Sequence, residues 1–241
     1  SGGNAGGADL SDIDFTAATL DSRVKYQRAG DVAYLAPDGA IKFAAAGVWP
    51  LEYRDGVAAG RHEPEPGTTN YFKSAELLTV LSAGGGTLSR TATESVNGLP
   101  TVSMRFTTPT AAMASYALIG SANGQPAPGA PGVVSVFIHV DSAQKFSCYS
   151  NNTTNFTPCD LQPGLQRFVF RETGQLNYAL MGLRNVAADY TAKMAGFQME
   201  AGSVATSPVL TGSAPATRAA ATAAVSNPGG IATALRLHYS D

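Results

Sequence analysis

From Val133 to Val140 the chain sets Val134, Val136, Ile138 and Val140 on one side of the backbone and Ser135, Phe137 and His139 on the other. That two-residue period belongs to a strand, because successive side chains of extended backbone point to opposite faces. The period recurs at Thr101 to Phe106, Gly164 to Phe170, Leu176 to Leu183 and Gly196 to Glu200, where Phe197 and Met199 alternate with Gln198 and Glu200. Tyr116 to Ile119 adds a shorter run. No segment carries a strong apolar stripe at helical spacing. About eight strands separated by turn residues describe an all-β, antiparallel sandwich or jelly roll.

The stretch before this series reads as hairpins. Val24 to Arg28 and Val32 to Leu35 precede Pro37-Asp38-Gly39, a strong turn, and Ile41 to Phe43 returns as the second arm. Leu51 to Tyr53 leads into a second turn at Arg54-Asp55-Gly56. Four segments follow: 1–13, a flexible arm or tag remnant; 14–71, an N-terminal β-hairpin segment packed on the sandwich; 72–211, the sandwich; and 212–241, a linker with a C-terminal strand. The linker is low in complexity, with Ala219 to Ala224 read as an extended arm. Ile231 to Tyr239 alternates Leu235, Leu237 and Tyr239 and is expected to pair within the chain or with a neighbouring subunit.

Charge narrows the partners. Charged residues make up 14% of the chain and the formal net charge is −2, without the clustered basic face that nucleic acid demands. No apolar run approaches the ~20 residues a membrane helix needs, so membrane insertion is not expected. The N-terminus lacks the charged and apolar regions of a signal peptide. Cys148 and Cys159 flank a polar loop, which leaves two readings: a disulfide closing a hairpin, or two separate thiols.

Catalytic constellations are missing from the pattern. His62, His139 and His238 share no metal-ligand spacing, and no Gly-x-Ser-x-Gly elbow marks a nucleophile. Gly84-Gly85-Gly86-Thr87 lacks the lysine of a phosphate loop and reads as a turn. No pair of glutamates carries a glycosidase signature. No catalytic residue, metal or cofactor is expected. Binding chemistry has better candidates. Phe137 and His139 share a strand face, and Tyr149, Asn151, Asn152 and Asn155 follow in the next loop. Aromatic faces and hydrogen-bonding side chains are what a sugar ring needs, so the group is a candidate glycan site. The competing reading has Phe137 covered by the N-terminal segment or a neighbouring subunit. Trp49 reads as a plug between hairpin and sandwich.

One longer pattern carries more. Gln198-x-Glu200-x-Gly202, Ala205-Thr206-Ser207, Thr211 and then Thr217-Arg218-Ala219-Ala220 resemble the end of a jelly-roll module of tailed-bacteriophage tail fibres, tailspikes and other virion proteins. Upstream, Arg28-Ala29, Tyr34, Asp38-Gly39, Ala44 to Ala46, Pro50, Tyr53, Glu65 and Thr69-Asn70 fall in the order of that module. Two departures stand out. Gly30 replaces a serine, and Arg61-His62-Glu63-Pro64 replaces an apolar Gly-Leu-Leu, so this crossing is expected to be exposed or paired differently. The sandwich also resembles the carbohydrate-binding-module type of jelly roll.

The resemblance implies a bacteriophage virion structural protein, a tail fibre or tailspike module that binds host-surface glycans. Such a protein works as a homotrimer with other virion proteins as partners, in a virion assembled in the bacterial host cytoplasm. The alternative is a capsid decoration or head-fibre protein that binds no glycan. Within the motif, Gln198 and Glu200 are expected to be structural hydrogen-bonding residues, with calcium at Glu200 as the lesser reading. Arg218 is expected to anchor the exit arm through backbone carbonyls or a carboxylate.

Overall fold

The computed structural model describes residues 13–73, 80–83, 87–107, 115–121, 131–143, 147–150, 157–158, 160–172, 179–185 and 190–226. Among them every regular element is a strand. The chain divides into two compact units, Ser1–Pro66 with Ala220–Asp241, and Gly67–Ala219.

The first unit is built from paired strands. β1 (Val24–Arg28) runs antiparallel to β18 (Ala221–Val225), with Val24 opposite Val225 and Arg28 opposite Ala221. The alanine run expected as an extended arm is therefore a strand. β2 (Val32–Leu35) and β3 (Ile41–Ala44) form a hairpin around Pro37-Asp38-Gly39. Asp38 fixes this turn: its carboxylate accepts from Ala40 N at 3.1 Å and from Lys42 Nζ at 2.9 Å. β4 (Leu51–Arg54) and β5 (Val57–Arg61) are joined by Asp55 and Gly56, with φ of 50° and 78°. Both turn residues lie in the left-handed region, the mark of a two-residue hairpin turn that matches strand twist.

Arg28 is a buried cation of this unit. It donates to the carbonyls of Gly30 at 2.8 Å, Ala44 at 3.0 Å and Ala45 at 2.7 Å, and to Tyr26 Oη at 2.8 Å. The Arg-Ala-x and Ala-Ala-Ala segments of the motif are thus two ends of one contact. Trp49 stacks on Tyr26 at 4.9 Å and takes Phe15 edge-on at 5.8 Å. The segment after β5 is not exposed at His62, which is buried. The substituted crossing instead sinks its histidine between Glu52 and Glu65.

Among the described residues, ten strands of the second unit form two five-stranded sheets. They are β7 (Val80–Ala83), β8 (Thr87–Val96), β9 (Leu99–Thr107), β10 (Ser115–Ser121), β11 (Gly132–Val140), β12 (Ser147–Ser150), β13 (Thr157–Pro158), β14 (Gly164–Glu172), β15 (Ala179–Asn185) and β16 (Tyr190–Ala201). One sheet has the order β13-β12-β15-β10-β7 and the other β14-β11-β16-β9-β8. From β9 onward the chain crosses between sheets after almost every strand, and the neighbouring strands pair antiparallel. This is a jelly-roll sandwich. Its core is the even face of β11: Val134 lies opposite Met199 and Ile138 opposite Met194, all buried. Phe72 stacks on Phe197 at 5.0 Å beside them.

Candidate functional site

The other face of β11 carries Val133, Ser135, Phe137 and His139. Register fixes their neighbours. On β14 the opposite residues are Arg171, Val169, Arg167 and Leu165, in that order. On β16 they are Glu200, Gln198, Ala195 and Lys193. The register shifts between Ser135 and Phe137, where β16 carries an extra residue and Gly196 has φ 57°. A bulge of this kind bends the strand and re-aims the side chains beyond it. The face therefore has two halves.

The half before the bulge is closed by hydrogen bonds. Gly202, at φ 112°, lets the chain leave β16 and return over the sheet. Glu200 is fully buried; its carboxylate accepts from Thr206 N at 3.0 Å, Thr206 Oγ1 at 2.5 Å and Thr68 Oγ1 at 2.8 Å. Gln198 Oε1 accepts from Val209 N at 2.7 Å, and its Nε2 lies 3.3 Å from the carbonyls of Thr206 and Ser207. Arg167 donates to Ser135 Oγ at 3.0 Å and to Thr206 O at 2.6 Å. Arg218 lies at the end of β17 (Ala216–Arg218), which pairs with β6 (Thr68–Asn70). It donates to Ser207 O at 3.0 Å and Ser207 Oγ at 2.5 Å. Buried polar groups are costly unless paired, and here they are paired with the segment that returns over the sheet after Gly202.

Asn70 completes the knot, and the sequence pattern alone does not reveal its weight. It is buried, donates to Phe197 O at 2.9 Å and Val209 O at 2.8 Å, and accepts from Phe72 N and Met199 N, each at 3.0 Å. All four valences of its amide tie three separate segments together.

The half beyond the bulge is more open. Phe137 and His139 are half-buried, as are Leu165 and Lys193, which flank His139 from either side. Arg167 lies over the Phe137 ring with its guanidinium carbon 5.2 Å from the centroid, a cation–π contact. His139 Nδ1 has no hydrogen-bond partner, and Asp141 Oδ1 stands 3.7 Å away on an exposed side chain. The structure brings Phe137 and His139 together on this half-face. Tyr149 and Cys148 lie on β12, in the other sheet, and their side chains fall outside what the structure describes. Asn151, Asn152, Asn155 and Cys159 lie outside the described residues, as does the strand expected at Ile231 to Tyr239.

Among the described residues no group of His, Cys, Asp and Glu is placed to hold a metal ion. The His62 cluster has both ring nitrogens occupied, Nδ1 by Glu52 at 2.6 Å and Nε2 by Glu65 at 3.2 Å. Burial disfavours the charged ring, but hydrogen bonds to the two carboxylates outweigh it and raise the His62 pKa to about 9. The cluster is an ion-paired clamp with Trp49 Nε1 donating to His62 O at 2.6 Å.

No family model matches the chain, and no curated protein resembles it in sequence. Its fold is similar to solved carbohydrate-binding modules. A family 11 module from Clostridium thermocellum is 8% identical, with a TM-score of 0.36, 59% of this chain and 99% of that one being covered. A xylan-binding domain from Paenibacillus barcinonensis is 14% identical, with a TM-score of 0.35, covering 57% and 94%. The enzymatically active domain of a tailspike protein from bacteriophage CBA120 is 11% identical, with a TM-score of 0.32, covering 54% of this chain and 21% of that one. At scores this low the jelly-roll assignment rests on the strand order and registers themselves.

Proposed function

We propose that the second unit is a non-catalytic glycan-recognition module. The observation that carries this reading is the division of one sheet face at the Gly196 bulge. One half is saturated by its own hydrogen bonds and roofed by Thr206 and Ser207; the other presents Phe137, His139, Leu165 and Lys193 with part of their surface open. A small apolar platform rimmed by hydrogen-bonding groups suits the C–H face and hydroxyls of a sugar. The wider role that fits is a homotrimeric tail fibre or tailspike part of a bacteriophage virion, attaching to host-surface glycans. What supports the virion role is the motif from Gln198 to Arg218.

A second reading has its own observation. Arg167 covers one side of the Phe137 ring, and the ring's edge meets Gly196. A ring held this way serves packing, as in a capsid decoration or head-fibre protein that binds no sugar. Light scattering and a glycan array on the full chain separate the two. The glycan reading expects a trimer that binds a defined glycan and loses it in His139→Ala. A chain silent on every glycan, but binding emptied capsids and raising their disruption temperature, is the outcome that sinks it.

A further inference from the structure

We infer that the outer edge of β18 is a docking site for the chain's own residues Ile231 to Tyr239, which add to it as the third strand of the β1–β18 sheet. Hydrogen bonds around β18 define that edge. Arg28 and Ala221 stand opposite each other, yet Ala221 N donates to Glu65 O at 2.9 Å and Arg28 O accepts from Gly47 N at 3.0 Å. They therefore exchange no hydrogen bonds, whereas at the alternate position Ser226 N donates to Arg23 O at 2.7 Å. The two kinds of pair alternate along an antiparallel ladder, so Tyr26–Ala223 and Val24–Val225 are of the first kind as well. The N–H and C=O groups of Ala223 and Val225 thus point away from β1. Among the described residues no strand meets them there.

Side chains point to the same occupant. Opposite residues share a face, so Ala221, Ala223 and Val225 continue the inner row of Val24, Tyr26 and Arg28. Val24 and Arg28 are buried and Tyr26 stacks on Trp49, but Ala223 is exposed and Val225 is 37% exposed. The inner face runs out onto β18 without cover. The first unit takes in Ala220–Asp241, and residues 227–241 lie outside the described residues. Their sequence opens with Asn227-Pro228-Gly229-Gly230, which is turn chemistry. Ile231, Thr233, Leu235, Leu237 and Tyr239 then alternate with Ala232, Ala234, Arg236 and His238. A hairpin closed over Ser226 to Gly230 sets Ile231 opposite Val225, Thr233 opposite Ala223 and Leu235 opposite Ala221. Its apolar row then lies on the inner face. A slip of one residue would turn that row to the solvated side, with Lys25 and Gln27. So short a connection holds the segment at an effective concentration on the order of millimolar, which favours it over the same segment of a second copy. Two-stranded pairings are marginal in water, and a third strand with an apolar face relieves that weakness.

Amide exchange by NMR on the full chain is the first test. The N–H groups of Ala223 and Val225 are expected to exchange as slowly as those of Thr222 and Ala224, which pair with Gln27 and Lys25. In a chain ending at Ser226 they should exchange at least about tenfold faster. Rapid exchange of Ala223 and Val225 in the full chain, with Thr222 and Ala224 protected, overturns the inference without any variant. Cross-linking then identifies the occupant. Ala224→Cys with Ala232→Cys is made in a chain carrying Cys148→Ser and Cys159→Ser and is oxidised with glutathione disulfide. The inferred register makes these two positions a pair without mutual hydrogen bonds, about 4.5 Å apart at Cα and within disulfide reach. A disulfide inside one chain is the expected product. A disulfide between two chains assigns the edge to a second copy and overturns the inference. No disulfide, in a variant that melts with the wild type's midpoint, refutes the register.

Discussion

The ring of Phe137 on β11 lies against the backbone of Gly196 on β16, so closely that a Cβ at position 196 would stand 3.1 Å from Phe137 Cδ2 and 3.4 Å from Leu99 Cδ1. Gly196 also has φ 57°, where an L-residue costs about 1–2 kcal/mol. The bulge and the aromatic packing thus require the same glycine. Gly196→Ala is expected to destabilise the chain by about 2 kcal/mol in urea denaturation. Pairing it with Phe137→Ala relieves the contact but not the dihedral strain, so the double variant should recover only part of the loss. A single variant as stable as the wild type would remove the bulge from its place in the argument.

Asn70 is the second point of failure. Replacing it with alanine leaves Phe72 N, Met199 N, Phe197 O and Val209 O without their buried partner. Each such group costs about 1–3 kcal/mol, so a loss of at least 3 kcal/mol is expected. Hydrogen exchange locates the damage. The amides of Phe72 and Met199 should lose protection in Asn70→Ala, and unchanged protection there would contradict the assignment.

Much of this architecture is legible from alternation. The bounds of β1 and β2 coincide with runs read from the sequence, and β11, which buries Val134, Val136, Ile138 and Val140 along one face, differs by one residue. β8 is not legible. Its register shifts between Arg90 and Ala92, so an irregularity resets the two-residue phase midway through a mostly polar run. Ala221–Val225 hides for another reason: a small-residue strand with an exposed face has no pattern to show, and its partner β1 lies almost 200 residues away. The knot is legible only by half. Gln198, Glu200 and Arg218 stand out by spacing, whereas Thr68 and Asn70 meet β16 across more than 120 residues, a distance that no local pattern spans.

In the first unit, Arg28 tests whether geometry or charge holds the hairpins. Its guanidinium reaches three carbonyls and a phenol at once, a fork that an ammonium cannot reproduce. Arg28→Lys keeps the charge and is expected to cost about 2 kcal/mol, seen as a lower denaturation midpoint. A neutral outcome would show that the positive charge suffices.

His62 makes the same unit sensitive to alkali. Its ordinary pKa of 6.5 is raised to about 9 in the fold: burial opposes the charge, and the hydrogen bonds and charges of Glu52 and Glu65 overcome it. A histidine whose pKa is higher folded than unfolded binds its proton more tightly in the native state. Its stabilisation is therefore complete below pH 6.5 and disappears as pH climbs through about 9. Denaturation at pH 6, 8 and 10 should show stability falling with pH, and the His62→Gln variant should lose most of that slope while starting less stable at pH 6. The His62 ring should titrate near pH 9 by proton NMR. A ring that titrates near 6.5, with a pH slope unchanged by His62→Gln, would mean that the two carboxylates hold a neutral imidazole and that the clamp carries no charge.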